Sequence, residues 1–145
     1  MKRLVTAGEM REMDRIAMED LGIPGMILME NAGRAVALAV ESLLGGRGGK
    51  VTICCGRGNN GGDGLVTARH ILAGGGSPRI ALVGEPDRFR GAAKTNWEII
   101  KRLPIEVKVV RRIAEIRSAV LHSDGIIDAL FGTGLDREVG GICRK

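Results

Sequence analysis

Val51-Thr52-Ile53-Cys54-Cys55-Gly56-Arg57-Gly58-Asn59-Asn60-Gly61-Gly62-Asp63-Gly64-Leu65 joins a short apolar run to a glycine-dense turn, and the turn to helix-like residues that continue to Leu72. Strand, turn and helix in that order form the unit from which parallel sheets are wound. Glycines in such a turn permit positive φ and bring bare backbone close to a ligand. The free N–H groups opening the next helix, with its dipole, favour phosphate or another anion. The stretch therefore points to a nucleotide-like small molecule as ligand.

The same unit recurs downstream. Arg79 to Val83 leads into a predicted helix from Phe89 to Leu103, Ile105 to Val110 into one from Ile113 to His122, and Gly125 to Leu130 forms a fourth strand. These runs are short, β-branched and barely alternating, the pattern of strands covered on both faces. Right-handed crossovers between them predict an α/β protein with a Rossmann-like, doubly wound parallel sheet in three α/β/α layers. Two helices precede the sheet. Thr6-Ala7-Gly8-Glu9 has the form of a capping box, Met10, Met13, Ile16 and Ala17 recur at helical spacing, and Gly22 supplies a stop near Leu21. Pro24 suits the first turn of the second helix, whose apolar face runs through Ile27, Leu28, Ala32, Val36, Ala39, Val40 and Leu43.

Ligands of such sheets bind beyond the carboxyl ends of the strands, where the winding reverses. Two loops are equipped for that position: the glycine turn after the first strand, and Asp128-Ala129-Leu130-Phe131-Gly132-Thr133-Gly134-Leu135 after the fourth. The expectation is that the first and fourth strands are neighbours, with the other two on the far side of the first.

Composition narrows the classes of function. With 145 residues, 44% of them hydrophobic, and a mean hydropathy of +0.07, one domain with a buried core is expected. The net charge of +5 is scattered and aromatic residues make up only 2%, which argues against a nucleic-acid surface and for a solvated face helpful to anionic ligands. No apolar run is long enough to span a bilayer, and nothing at the amino terminus resembles a signal peptide. Three cysteines without metal-ligand spacing fit a reducing cytoplasm.

The first turn lacks the Lys-Ser/Thr end of a phosphate loop, and Asn59-Asn60 breaks the dinucleotide glycine spacing. Paired asparagines before Gly-Gly-Asp-Gly offer amide and carbonyl oxygens to a hard cation and N–H groups to a ligand. Asp63 reads equally as a helix cap and as a ligand contact. Asp128, near the end of an apolar strand, calls for a cation or a hydrogen-bond set to compensate its charge. Thr133 between two glycines reads as a ligand contact or a turn residue. His70 and His122 fall on helices away from both loops, Cys54 and Cys55 read as packing residues, and Trp97 as a core or interface anchor.

On Gly22-Ile23-Pro24-Gly25-Met26-Ile27-Leu28-Met29-Glu30-Asn31-Ala32-Gly33, the Asn59 to Gly64 signature followed by Ala68-Arg69-His70, and Asp128 to Leu135, the chain resembles the YjeF N-terminal domain family, the NAD(P)H-hydrate epimerases. The resemblance implies interconversion of the R and S forms of hydrated NADH and NADPH, which carry a hydroxyl on C6 of the nicotinamide ring, so that a companion ATP- or ADP-dependent dehydratase can repair them. It implies substrate contacts from Asn59, Asn60, Gly61, Gly62 and Asp63, and from Gly132, Thr133, Gly134, Leu135, Asp136, Arg137 and Glu138. It implies a potassium ion held by Asn60 and Asp128, and it suggests a homodimer. The alternative is a non-catalytic ligand-binding or dimerisation module of the same fold, and oxidoreductase activity is a weaker third reading.

Family members continue past the second loop into a strand ending in Asp-x-Pro-Ser-Gly, which brings a catalytic aspartate and a further cation ligand. This chain reaches Lys145 without that motif, so no catalytic residue is assigned. The expectation is a single domain over residues 1–145 lacking the carboxy-terminal part of the family fold. Its incomplete sheet would leave an open edge and favour marginal stability or association.

Overall fold

Four β-branched, apolar runs become the four strands of one all-parallel sheet in the computed structural model, which describes residues 4–46, 48–136 and 138–144. The elements are α1 (Ala7–Arg15), α2 (Gly25–Leu43), β1 (Lys50–Cys55), α3 (Asn59–Ala73), β2 (Ser77–Leu82), α4 (Gly91–Ile100), β3 (Glu106–Val109), α5 (Arg117–Leu121) and β4 (Gly125–Ala129). The sheet order is β3-β2-β1-β4. The winding reverses between β1 and β4, as the sequence predicts, which sets a crevice at their carboxyl ends. Register is direct: Ile53 of β1 lies beside Ile80 of β2 and Ile127 of β4.

The core forms where the apolar residues of β1 and β2 meet α3 and α4. Ile53, Cys55, Leu65, Val66, Leu82 and Phe89 are fully buried. Truncating one of these large side chains, Leu65→Ala for instance, costs about 2–5 kcal/mol by lost transfer energy and the cavity left behind. Trp97 stacks on Phe89 with ring centroids 5.9 Å apart, so of the two roles the sequence offers, core or interface anchor, it takes the first.

α2 packs along α3 through small residues. Gly33 is buried on it, and a Cβ there would fall 2.5 Å from the Val66 side chain. α1 differs from the other long helices. Its capping box forms as predicted: Glu9 N–H donates to Thr6 Oγ1, and Thr6 N–H to Glu9 Oε2. It nevertheless buries no residue, and it passes through a π-type turn (Ile16–Asp20) into Gly22, whose φ of +69° reverses the chain. Glycine carries that conformation without the steric cost that a Cβ imposes.

The sheet's two faces are unequally covered. Thr52 is buried on the α5 side, its Oγ1 2.6 Å from Ser123 Oγ, while Ile53 and Cys55 face α3. β4 is an edge strand among the described residues, with Ile126 55% exposed on it.

Candidate functional site

The crevice begins where the chain leaves β1. Gly56 N–H donates to Ala129 O at 2.9 Å, so the pairing of β1 with β4 continues one residue past the strand. A Cβ on Gly56 would lie 2.2 Å from Leu130 O, and glycine alone fits. Gly58 then caps α3 in an extended conformation without any side-chain cap, and the first helical bond runs from Gly62 N–H to Gly58 O at 3.0 Å. The N–H groups of Asn59, Asn60 and Gly61 thus open the helix without intrahelical acceptors, at the positive end of its dipole.

Here the structure corrects the sequence reading. The helix starts at Asn59, not near Leu65, so Asn59, Asn60, Gly61, Gly62 and Asp63 occupy its first turns. None of the glycines from Gly56 to Gly64 has positive φ. Gly61, Gly62 and Gly64 are buried and serve close packing: a Cβ on each would meet Gly56 O at 1.8 Å, the Met29 side chain at 2.7 Å and Ala129 Cβ at 2.8 Å. Only the outer edge of the turn, Arg57 to Asn59, is exposed.

The second loop docks on the first through one hydrogen bond. Asn60 Nδ2 donates to Phe131 O at 2.9 Å, and Gly132 sits so close to Asn60 that an added Cβ would lie 3.1 Å from Asn60 Cβ. Leu135 N–H closes a turn on Gly132 O at 3.2 Å. Gly132, Thr133, Gly134, Leu135, Asp136 and Glu138 are all exposed there; Arg137 lies outside the described residues. Two segments 71 residues apart in sequence therefore share one mouth.

Asp128 is not a buried carboxylate in need of rescue. It is exposed, and its Oδ1 accepts the Leu130 N–H at 2.9 Å. Strand alternation turns it away from its neighbour Ala129, which faces Gly64, and toward Cys54, whose thiol is pushed up by burial and then by this carboxylate. Asn60 and Asp128 nonetheless engage adjacent residues of one segment, the Phe131 carbonyl and the Leu130 amide. Among the described residues no group of three or more His, Cys, Asp or Glu side chains gathers as a metal site. A cation here would draw on amide and backbone carbonyl oxygens beside Asp128.

Asp63 is no cap, since it lies a full turn inside α3. Half-buried, its carboxyl is pushed up to about 6, first by burial and then by the charge of Asp14 on α1. By helical spacing it shares a face with Asn59 and Asn60. From α1 as well, Arg11 donates through Nη1 to Thr133 O. Arg11 and Asp14, one turn apart, were absent from the sequence-based set. Charged residues on an amphipathic helix read as its solvent face, and only the i, i+3 spacing of the pair hinted otherwise.

Away from the crevice, Glu30 accepts hydrogen bonds from Arg69 and from His70 Nε2, the latter at 2.7 Å, and Arg69 also reaches Asn96 Oδ1 at 3.0 Å. This network ties α2, α3 and α4 together, so His70 serves the packing of the helices and lies away from both loops, as the sequence places it. An apolar cleft of about 280 Å³ lies between α2 and α3 at the amino end of β1, lined by Ala37, Val51 and Ile71 and rimmed by Arg34, Glu41 and His70. It is at the opposite end of the sheet from the two loops.

Residues 25–144 match the family model described as YjeF-related protein N-terminus. The chain is 41% identical over 145 residues to the bifunctional NAD(P)H-hydrate repair enzyme Nnr of Thermofilum pendens, covering 99% of this chain and 28% of that protein. It is 35% identical over 147 residues to the NAD(P)H-hydrate epimerase of Pirellula staleyi, covering 99% and 64%. The crystal structure of yeast ynu0, YNL200c, superposes with a TM-score of 0.76 at 27% identity, over 96% of this chain and 60% of that one. The chain therefore spans about a quarter to under two thirds of the length of these relatives.

Proposed function

This chain belongs to the family of YjeF-related N-terminal domains, and we propose that it is an NAD(P)H-hydrate epimerase, an isomerase of nicotinamide-nucleotide repair that interconverts the R and S epimers of hydrated NADH and NADPH. The observation that carries the reading is the Asn60–Phe131 hydrogen bond, because it joins the two loops into one mouth at the strand ends. In this reading the open amides of α3 bind the dinucleotide's phosphates, with Asn59 and Asp63 on one wall and the turn from Gly132 to Asp136 on the other, and Arg137 and Glu138 add substrate contacts. Inverting C6 requires breaking and remaking either its bond to the hydroxyl or its bond to the ring nitrogen, and either route needs a group that gives and takes a proton. Asp63, poised near neutrality, is suited to hold that proton.

A potassium ion fits the oxygen donors available. Asn60 has committed its Nδ2 to Phe131, which leaves its Oδ1 for a cation, and Asp128 is an exposed carboxylate beside the same segment. When bound, the ion would supply positive charge near the ligand.

Three further expectations belong to this reading. The relatives named as bifunctional repair enzymes support an ADP- or ATP-dependent hydrate dehydratase as functional partner. Exposed Met10, Met13, Met18 and Leu21 on the amino-terminal helical segment, with Leu38 and Leu43 on α2, support a homodimer. Free Cys54, Cys55 and Cys143, with no described helix long and apolar enough to cross a membrane, support a cytoplasmic site of action.

The test is to mix purified chain with either epimer of hydrated NADH and follow exchange by chromatography, with and without potassium. Exchange faster than the spontaneous rate is expected. Tight binding without exchange would instead identify a non-catalytic module, and neither binding nor exchange would overturn the reading.

A further inference from the structure

α1 has no core to serve, yet it reaches the site: Arg11 bonds to the second loop, and the charge of Asp14 is felt at Asp63. It buries no residue, so its position does not follow from apolar packing of its own side chains. Arg11 Nη1 donates to the Thr133 carbonyl, 122 residues away in sequence, at the tip of the exposed turn. One helical turn further, Asp14 lies close enough to Asp63 for its charge to be felt there. The second loop is otherwise tied down by Asn60 at its root, at Phe131, and by its own Leu135–Gly132 bond. Nothing within 4 Å would meet a Cβ placed on Gly134. The outer half of the turn thus gains an anchor from α1.

We propose that Arg11 is a positioning residue of the site: by gripping the Thr133 carbonyl it holds the Gly132–Gly134 turn at the distance from α3 that the substrate requires, which makes α1 the third wall of the crevice. The chemistry suits the task. A guanidinium can commit one N–H to a carbonyl and keep its remaining donors in a fixed plane, so the loop is held at a defined angle. A charge-assisted bond is also stronger than a neutral one at the same place. This inference rests on the dinucleotide-hydrate reading for its ligand and on geometry alone for the tether.

The experiment therefore has two readouts. Amide hydrogen exchange of Leu135, whose N–H closes the turn on Gly132 O, measured on the full chain without any ligand, should quicken about tenfold in Arg11→Ala, the loss expected for one hydrogen bond to a charged donor. Arg11→Lys, which keeps a cationic donor, should restore part of the protection. Arg117→Ala is the control, since it removes an equal charge from exposed α5 and should change nothing. With hydrated NADH as ligand, Arg11→Ala should raise KM about tenfold while kcat moves little, because only the binding wall is loosened. The thermal midpoint should hold, because α1 contributes nothing to the core.

Unchanged exchange in the loop would overturn the tether whatever the protein's function. Faster loop exchange in Arg11→Ala, in a parent that neither binds nor epimerises the hydrate, would leave the tether standing and remove the epimerase. Equal KM for parent and Arg11→Ala, in an active parent, would show that the turn does not need holding.

Discussion

The two halves of the crevice are built on opposite plans. The wall from Asn59 to Gly64 is helical and glycine-packed, with Gly61, Gly62 and Gly64 wedged against Gly56, Met29 and Ala129. The wall from Gly132 to Asp136 is an exposed turn, held by hydrogen bonds from Asn60, Arg11 and its own Leu135. The first wall cannot change without disturbing the fold, whereas the second can change and leave the fold intact. Rigidity on one side and adjustability on the other suit the ligand proposed above, with a constant phosphate end and a ring whose configuration must vary.

The sharpest way to break this contrast is Gly61→Ala. A methyl group would stand 1.8 Å from Gly56 O, and the atom it meets is backbone that cannot rotate away. A loss of more than about 3 kcal/mol is expected, beyond the usual penalty for overpacking. Denaturant titration should show it as a lowered midpoint or as failure to fold. Gly61→Ala with near-parental stability would mean that the α3 wall is as adjustable as the turn.

How much of this the residues disclose on their own differs between the walls in the same way. The four strands, their order and the meeting of the two loops were legible, because β-branched runs and crossover handedness leave few alternatives. The start of α3 was not. Asn-Asn-Gly-Gly-Asp-Gly has among the poorest helix propensities available, with each glycine costing about 1 kcal/mol against alanine. Tertiary packing overrides that cost, since only a helix without side chains at Gly61 and Gly64 can approach β1 and β4 so closely. Positive φ was the wrong reason for the right residues. Arg11 and Asp14 were illegible for another reason: their partners lie 122 and 49 positions away, and nothing local in Arg-Glu-Met-Asp distinguishes a wall from a wet surface.

Asn60→Ala probes the seam between the two plans. Losing the bond to Phe131 should cost about 1 kcal/mol of stability, modest because half-exposed groups regain water. Its larger effect should fall on function: potassium stimulation of epimer exchange should vanish in Asn60→Ala and in Asp128→Ala alike. Titrating potassium against the exchange rate of each variant checks this. Stimulation that survives both substitutions would place the ion elsewhere.

Asp63 lets pH separate stability from function on the rigid wall. Its folded value, about 6, lies above the ordinary 3.8, so the folded chain holds its proton more tightly than the unfolded one. Stability is therefore lost as pH rises between those values, and above about 6 the charged carboxylate is a standing cost. Asp63→Asn should raise stability at pH 7.5 by on the order of 1 kcal/mol, once solvent screening of a half-buried group is allowed for. The gain should disappear below about pH 4, where the parent carries the proton in both states. Unfolding curves of parent and Asp63→Asn at the two pH values decide it. An equal gain at both would assign the effect to packing and not to charge.

Gly134→Ala should have the smallest effect on the fold and so tests the adjustable wall most directly. No atom within 4 Å would meet the added methyl and the residue's φ is not positive, so the change in stability should stay within about 0.5 kcal/mol. The same methyl would nevertheless stand on the turn proposed to face the ligand, and it restricts the backbone there. KM for hydrated NADH should therefore change while the unfolding midpoint does not. The direction of that change reports what the turn does when substrate arrives: a lower KM means that it is already shaped for binding and gains from stiffening, a higher one that it must move. Gly61→Ala cannot supply that information, because on the packed wall the fold fails before binding can be read.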